Sequence, residues 1–230
     1  MRLIVVVEGQ TEEAFVNHLL APHLDDHHVY TSATIVGKMI AQKRGHRSRG
    51  GGHFRHWRRD VERILREDTG GELRVTTLFD LYGLPDDFPE IDVHESDLDT
   101  ARRCDSLEAA LAGVIDDRRF IPYIQRHEFE TLVLASLRSL GELLDAEDDL
   151  AGLAALKEQI GDHPPEDIND GAMTAPSKRL LAHVRGFSKT LHGPLAVADT
   201  GLATIRQECP RFDTWVTTLE RLSAQAADNP

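Results

Sequence analysis

Two cysteines in 230 residues, Cys104 and Cys209, are too few for a disulfide framework. They read as small packed side chains, and a reducing cytoplasm is the expected compartment. Also missing is any apolar run near the roughly 18 residues that a membrane-spanning helix needs, so no membrane association is expected. The apolar start at residues 2–7 is too short for a signal-peptide core and runs into acids rather than a cleavage site. No Gly-x-Ser-x-Gly elbow, no Walker spacing and no Cys/His pair at a diagnostic spacing occurs. The sequence also holds no internal repeat and no low-complexity tract. Twelve histidines are present, but His53-x-x-His56 and His27-His28 lack companion cysteines at finger spacing, so a structural zinc is not expected.

What the chain does have is an ordinary globular balance, 40% hydrophobic and 28% charged. Its net charge of −13 argues against a generic nucleic-acid glue. Two segments depart from that average. Residues 37–59 carry Lys38, Lys43, Arg44, Arg47, Arg49, Arg55, Arg58 and Arg59 without one acid. Residues 171–198 also lack acids and carry Lys178, Arg179, Arg185 and Lys189. Basic segments on an acidic body suggest local binding of an anion such as a phosphate backbone. A solvated mobile loop is the competing reading for any single arginine.

The most informative stretch is residues 1–15. A Val-rich run at 2–7 has the character of a strand buried on both faces of a parallel sheet. It stops at Glu8-Gly9, and a helix is expected to start at once, with Thr11 as N-cap and Glu12 and Glu13 at its positive end. Glu8 then lies at the carboxyl end of a central strand, where open α/β sheets place their ligands.

Further along, helical spacing through residue 21 should end or kink at Pro22. Strands are expected at 28–36, 73–79 and 119–125, the last an edge or bulged strand because of Pro122. Helices are expected at 54–67, closed by Gly70-Gly71, at about 100–117 with Asp99 or Thr100 as cap, and from His127 onward. The alternation predicts an α/β fold with a mostly parallel four-stranded sheet flanked by helices. Residues 1–138 would form this α/β domain. Residues 139–230, helical and at first acidic, would be an extension packed on the same domain, with helices near Ser177, at 199–207 and at 211–225.

Acids recur at the predicted strand ends: Glu8, Asp80, and Glu128 with Glu130. In a parallel sheet these ends share one edge, so the carboxylates can converge. Hard oxygen ligands of this kind suit Mg²⁺ or Mn²⁺ with a substrate phosphate. Taken singly, Asp80 reads equally as a turn residue and the two glutamates as first-turn helix acids. On a helix Glu128 and Glu130 would not point the same way, which favours Glu128, the nearer to the strand end. Pro176-Ser177-Lys178-Arg179 offers a second anion site if Ser177 caps a helix.

VEGQTEEAF at 7–15, LFDLYGLP at 78–85, HEFETLVL at 127–134 and APSKRL at 175–180 together resemble a known family. VEGQTEEAF is similar to the Toprim-like proteins, the metal-dependent catalytic fold of topoisomerases, primases and the overcoming-lysogenization-defect nucleases. The ordered set resembles the bacterial Toprim-related domain of unknown function 4276. The resemblance implies a carboxylate metal site with Glu8 as ligand or acid/base and Asp80 as first acid of an Asp-x-Asp motif. The second acid would be residue 82, which here is Tyr82, and Glu128 or Glu130 would supply the missing carboxylate. It further implies a setting in phage defence beside an ABC/AAA-type ATPase.

The expected function is a Mg²⁺- or Mn²⁺-dependent phosphodiesterase acting on DNA or RNA. Glu8, Asp80 and Glu128, with Glu130, would hold the metal. Lys178 would act in catalysis, and Lys43, Arg44, Arg47, Arg49, Arg55, Arg58, Lys178 and Arg179 would bind nucleic acid. The alternatives are a non-catalytic regulatory subunit that binds an ATPase partner, nucleic acid or both, and an enzyme acting on small nucleotides.

Overall fold

A computed structural model describes residues 1–37, 52–68, 71–93, 99–168, 171 and 174–227. Strand β1, Arg2–Val7, lies at the centre of a parallel sheet. It pairs on one side with β2, Tyr30–Ile35, and on the other with β3, Leu73–Asp80, so that Val7 stands level with both Ile35 and Leu78. The far side of β3 carries β4, Phe120–Ile121, and β5, Ile124–Gln125. Pro122 explains the break between them, since it has no N–H for the ladder. The gap is bridged by the Thr77 hydroxyl, which donates to the Tyr123 carbonyl and accepts from its N–H, both at 2.8 Å. The fold is therefore the expected α/β arrangement of a parallel sheet flanked by helices, with the fourth strand in two pieces.

The helix after β1 begins as α1, Gln10–Phe15, two residues earlier than expected: Gly9, not Thr11, takes the capping position, with extended backbone. It does not end at Pro22. A π turn at Val16–Leu20 leads directly into α2, Ala21–Asp25. The proline falls in the first turn of that segment, where an N–H is least needed, and the π turn absorbs the altered ladder. Helix α3 is Phe54–Glu67, and its first N–H is capped by Asp87 Oδ1 at 2.7 Å. Gly70 lies outside the described residues. Helix α4, Thr100–Ile115, is capped by Asp99, whose Oδ1 accepts from the Ala101 and Arg102 N–H groups.

Alternation along the strands splits the interior into two cores. On one face Val6, Val75 and Phe79 pack against Trp57, Val61 and Ile64 of α3 and Cys104, Leu107 and Leu111 of α4. On the other, Leu3, Val5, Val7 and Leu78 meet Phe15 and the helices that follow β5. Those helices are α5, Glu130–Leu134; α6, Leu137–Glu142; α7, Glu147–Ile160; α8, Pro176–His183; α9, His192–Thr200; α10, Leu202–Glu208; α11, Pro210–Glu220; and α12, Leu222–Ala227. Phe212, Val216 and Leu219 form one stripe of α11 and are fully buried. At about 1.5–3 kcal/mol each, they contribute roughly 5–9 kcal/mol toward holding α11 in that core. Trp215 adds a hydrogen bond from Nε1 to Thr76 Oγ1 at 3.0 Å and stacks on Tyr123 at 4.4 Å.

Candidate metal centre

The parallel register brings the carboxyl ends of β1, β3 and β5 to one edge. Glu8 follows β1, Asp80 ends β3, and Gln125 is paired with Asp80 two residues before His127. His127 has φ of 66°, a left-handed conformation unusual for a residue with a side chain. It turns the chain so that Glu128 precedes α5 and Glu130 opens it. The expectation that a helix would start at His127 and force the two carboxylates apart is corrected here. Glu128 is not helical, and both acids converge on Asp80. One carboxylate oxygen from each of Asp80, Glu128 and Glu130 lies within 4.8 Å of the others.

Backbone amides hold these carboxylates. The Asp80 N–H donates to Glu8 Oε1 at 2.6 Å, the Phe129 N–H to Asp80 Oδ1 at 2.8 Å, and the Ser177 N–H to Glu128 Oε1 at 2.6 Å. Glu8 thus stands beside the triad, joined to it through the Asp80 backbone. Ser177 serves through its amide at the start of α8, whose cap position is Ala175. Glu12, in the first turn of α1, is buried and is a fifth acid whose charge acts on Asp80. The cation among them is Lys189, with Nζ 3.3 Å from Glu130 Oε1 and 3.6 Å from Glu128 Oε2.

Five acids facing one lysine disfavour full ionisation. Burial, then Glu12, pushes the Glu8 carboxyl up from 4.5 to about 8, against the pull of the Asp80 amide. Burial likewise pushes Glu130 up to about 7, with Lys189 opposing and Glu128 adding. Asp80 is driven well above the usual carboxylate range by burial and by Glu12, Glu8, Glu130 and Glu128. Burial works against the Lys189 charge, but Glu130 and Glu128 outweigh it and hold its pKa above the ordinary value. An all-oxygen set with surplus negative charge fits a hard divalent cation such as Mg²⁺ or Mn²⁺.

Tyr82 stands two residues past Asp80 and faces His127, with its hydroxyl 3.4 Å from Nδ1. Burial lowers the His127 pKa to about 4, so the ring is neutral near pH 7. Its Nε2 lies 2.9 Å from the Glu166 carbonyl, which requires a proton there. That tautomer leaves Nδ1 to accept from Tyr82. The hydroxyl is therefore engaged with His127.

Of the predicted basic residues, Lys43, Arg44, Arg47 and Arg49 lie outside the described residues. Arg55 is exposed on α3, and Arg58 pairs with Glu62 at 2.6 Å. Lys178 is exposed on α8, and Arg179 donates from Nε to the Thr174 carbonyl at 2.9 Å. Sequence reasoning passed over Lys189 and Glu12 as site residues. The acid-free run at 171–198 was the available signal for Lys189, but a loop position has no period from which to read its direction. Gly83 was also missed. A Cβ there would fall 2.5 Å from Glu8 Oε2, so only glycine leaves that carboxylate its place.

The sequence matches the family described as "Domain of unknown function (DUF4276)" over residues 7–220. No curated protein matches it. Among solved structures, it is similar to the C-terminal region of the Burkholderia pseudomallei OLD protein, at 17% identity and a TM-score of 0.43, over 94% of this chain and 98% of that one. It is also similar to the C-terminal region of the Xanthomonas campestris pv. campestris OLD protein, at 15% identity and a TM-score of 0.40, over 94% and 96%. Similarity at this level says nothing about chemistry.

Proposed function

This chain belongs to the DUF4276 family, and from that premise we propose that it is a metal-dependent phosphodiesterase of Toprim type acting on nucleic acid. The observation that carries the reading is the convergence of Asp80, Glu128 and Glu130 at one sheet edge, with Glu8, Glu12 and Lys189 around them. Asp80, Glu128 and Glu130 would hold Mg²⁺ or Mn²⁺, which when bound supplies Lewis acidity and neutralises charge on a phosphodiester. Glu8 keeps Oε1 on the Asp80 amide and leaves Oε2 to hold or pass a proton, with a pKa near the working pH. Lys189, ion-paired with Glu128 and Glu130, would face the developing negative charge. Lys178, Arg179, Arg55 and Arg58, with Lys43, Arg44, Arg47 and Arg49, would track the phosphate backbone. Residues 139–230 would serve as a helical extension that completes the same site, since α8 supplies the Ser177 amide.

The test is a cleavage assay on plasmid, single-stranded DNA and RNA with Mg²⁺ or Mn²⁺, comparing wild type with Glu8→Gln and Asp80→Asn. Metal-dependent cutting that falls on the order of a hundredfold or more in both variants is expected, the scale of losing one charge-stabilising group. Equal cutting in all three proteins would reject the reading. A second reading, a non-catalytic regulatory subunit that binds an ATPase partner, nucleic acid or both, is favoured by Tyr82 at the second-acid position and by its engagement with His127. It predicts no cutting alone and co-purification with the ATPase. Both readings place the protein in the cytoplasm.

A further inference from the structure

We propose that His23, His27 and Glu220 form a zinc site that clamps α2 to α11, separate from the carboxylate centre. One ligand atom from each lies within 4.8 Å of the other two. His23 Nε2 is 2.7 Å from Glu220 Oε1, and His27 Nε2 is 3.8 Å from the same oxygen. The two rings are 5.2 Å apart at centroid. They converge because they are four residues apart on a chain that keeps turning past Asp25: the His27 N–H still bonds to the Leu24 carbonyl at 3.0 Å. Leu24 between them is fully buried, which roots that turn in the core.

The donor chemistry differs from that of the carboxylate centre. Two imidazoles and one carboxylate form a three-ligand set of the kind zinc takes with a fourth position open, and imidazole nitrogen selects zinc over Mg²⁺. The single close contact between His23 and Glu220 accounts for one imidazole. At 3.8 Å the second is within ion-pair reach but beyond a hydrogen bond, so both rings face one oxygen that a shared cation can join.

The surroundings are compatible with such a cation. Arg206 donates to both oxygens of Glu220 and also to Asp213 and Thr217 Oγ1. One guanidinium against two carboxylates leaves one negative charge over when the histidines are neutral. Arg206 also holds Oε1, so an entering ion would displace it there and leave it on Oε2, orienting Glu220 from behind as outer partners of metal ligands do. The side chains of His23, His27 and Glu220 are 29%, 39% and 15% exposed, so an ion can enter without deep desolvation. Local spacing hides the site, because the third ligand lies near the other end of the chain.

The experiment titrates chelator-stripped protein with Zn²⁺ by calorimetry and by thermal unfolding. An Asp80→Asn/Glu130→Gln background removes zinc captured by the carboxylates. One Zn²⁺ per chain is expected, with Tm raised by roughly 5–10 °C at a hundredfold excess over Kd. His27→Gln keeps the His23–Glu220–Arg206 contacts and should leave the zinc-free Tm unchanged. It should weaken zinc binding by at least about tenfold, as should His23→Gln. Mg²⁺ at the same concentration should have no effect. No zinc binding, or a Tm shift of equal size in wild type, His23→Gln and His27→Gln, would overturn the site.

Discussion

Two groups of acids lie inside this molecule, and they are closed in opposite ways. Around Arg211 each acid is tied to a fixed donor. Its guanidinium donates to Glu108 at 2.6 Å, to Asp105 at 3.1 Å and to the Ile124 carbonyl at 2.7 Å, over the Tyr123 ring. Glu166 accepts the Arg211 and Phe212 amides at 3.0 Å each. At the strand ends, by contrast, Glu8, Glu12, Asp80, Glu128 and Glu130 share Lys189 alone among the cations described. The first group is finished by the protein. The second carries charge that the fold itself leaves uncompensated, and that surplus is the physical mark of a site that takes a cation.

The largest effect should come from breaking the Arg211 group. Arg211→Met removes the guanidinium while keeping the backbone amide on Glu166. Glu108, half-buried, then keeps only the Ile124 amide, at a cost of about 3 kcal/mol, the lower end for a buried pair. Urea unfolding should show a lower midpoint with an unchanged slope. Asp80→Asn should do the reverse in metal-free protein and raise the midpoint, because it removes one of several repelling carboxyls. If both variants lose stability alike, the contrast between the two groups fails.

Acidity sharpens the comparison next, by degree and not by direction, since burial also raises the Glu108 and Glu166 carboxyls. Glu130 and Glu8 have folded pKa values of about 7 and about 8, both above the ordinary 4.5. The folded state therefore binds more protons than the unfolded one across that window, and stability falls as pH rises. In a chelating buffer, Tm should be highest near pH 5 and decline through pH 7 and 8. Mn²⁺ should flatten the decline by replacing the protons, so its affinity should rise over the same range. A metal-free Tm that stays level from pH 5 to 9 would remove the electrostatic argument for the centre.

The legibility of the two groups differed as well. The strands could be read because a Val-rich run and a period of two are local signals, and parallel pairing then set Glu8 and Asp80 on one edge without further information. A cap for α4 at Asp99 or Thr100 was legible as a local signal, and the structure selects Asp99. The meeting of Glu128 with Glu130 was not, because it depends on the left-handed backbone of His127, and histidine is not a residue type that announces such a turn. The split at Pro122 was half legible: the proline signals a break, but the Thr77 hydroxyl that bridges it is a tertiary partner. Lys189, the Ser177 amide and the whole Arg211 group require the C-terminal helices to be folded back on the sheet, which no spacing within them encodes.

The smallest effect is also the most local. Gly83 is outside the left-handed region, so alanine there meets no backbone strain, only the Glu8 carboxylate. Both Glu8 oxygens would lie within 2.9 Å of the new Cβ, and the nearer is the one left for proton exchange. Overpacking of this kind costs about 1–3 kcal/mol. Moving Glu8 aside should also weaken its bond to the Asp80 amide and reduce Mn²⁺ affinity, read by calorimetry. In a Glu8→Ala background the same Gly83→Ala change has nothing to displace and should cost little, so the two substitutions should be strongly non-additive. Additive losses would place Glu8 away from Gly83 and detach it from the Asp80 amide. The Arg211 group should not respond to either change. The order of crowding at the strand ends would then follow from one carboxylate, held by an amide on one oxygen and by the absence of a methyl group on the other.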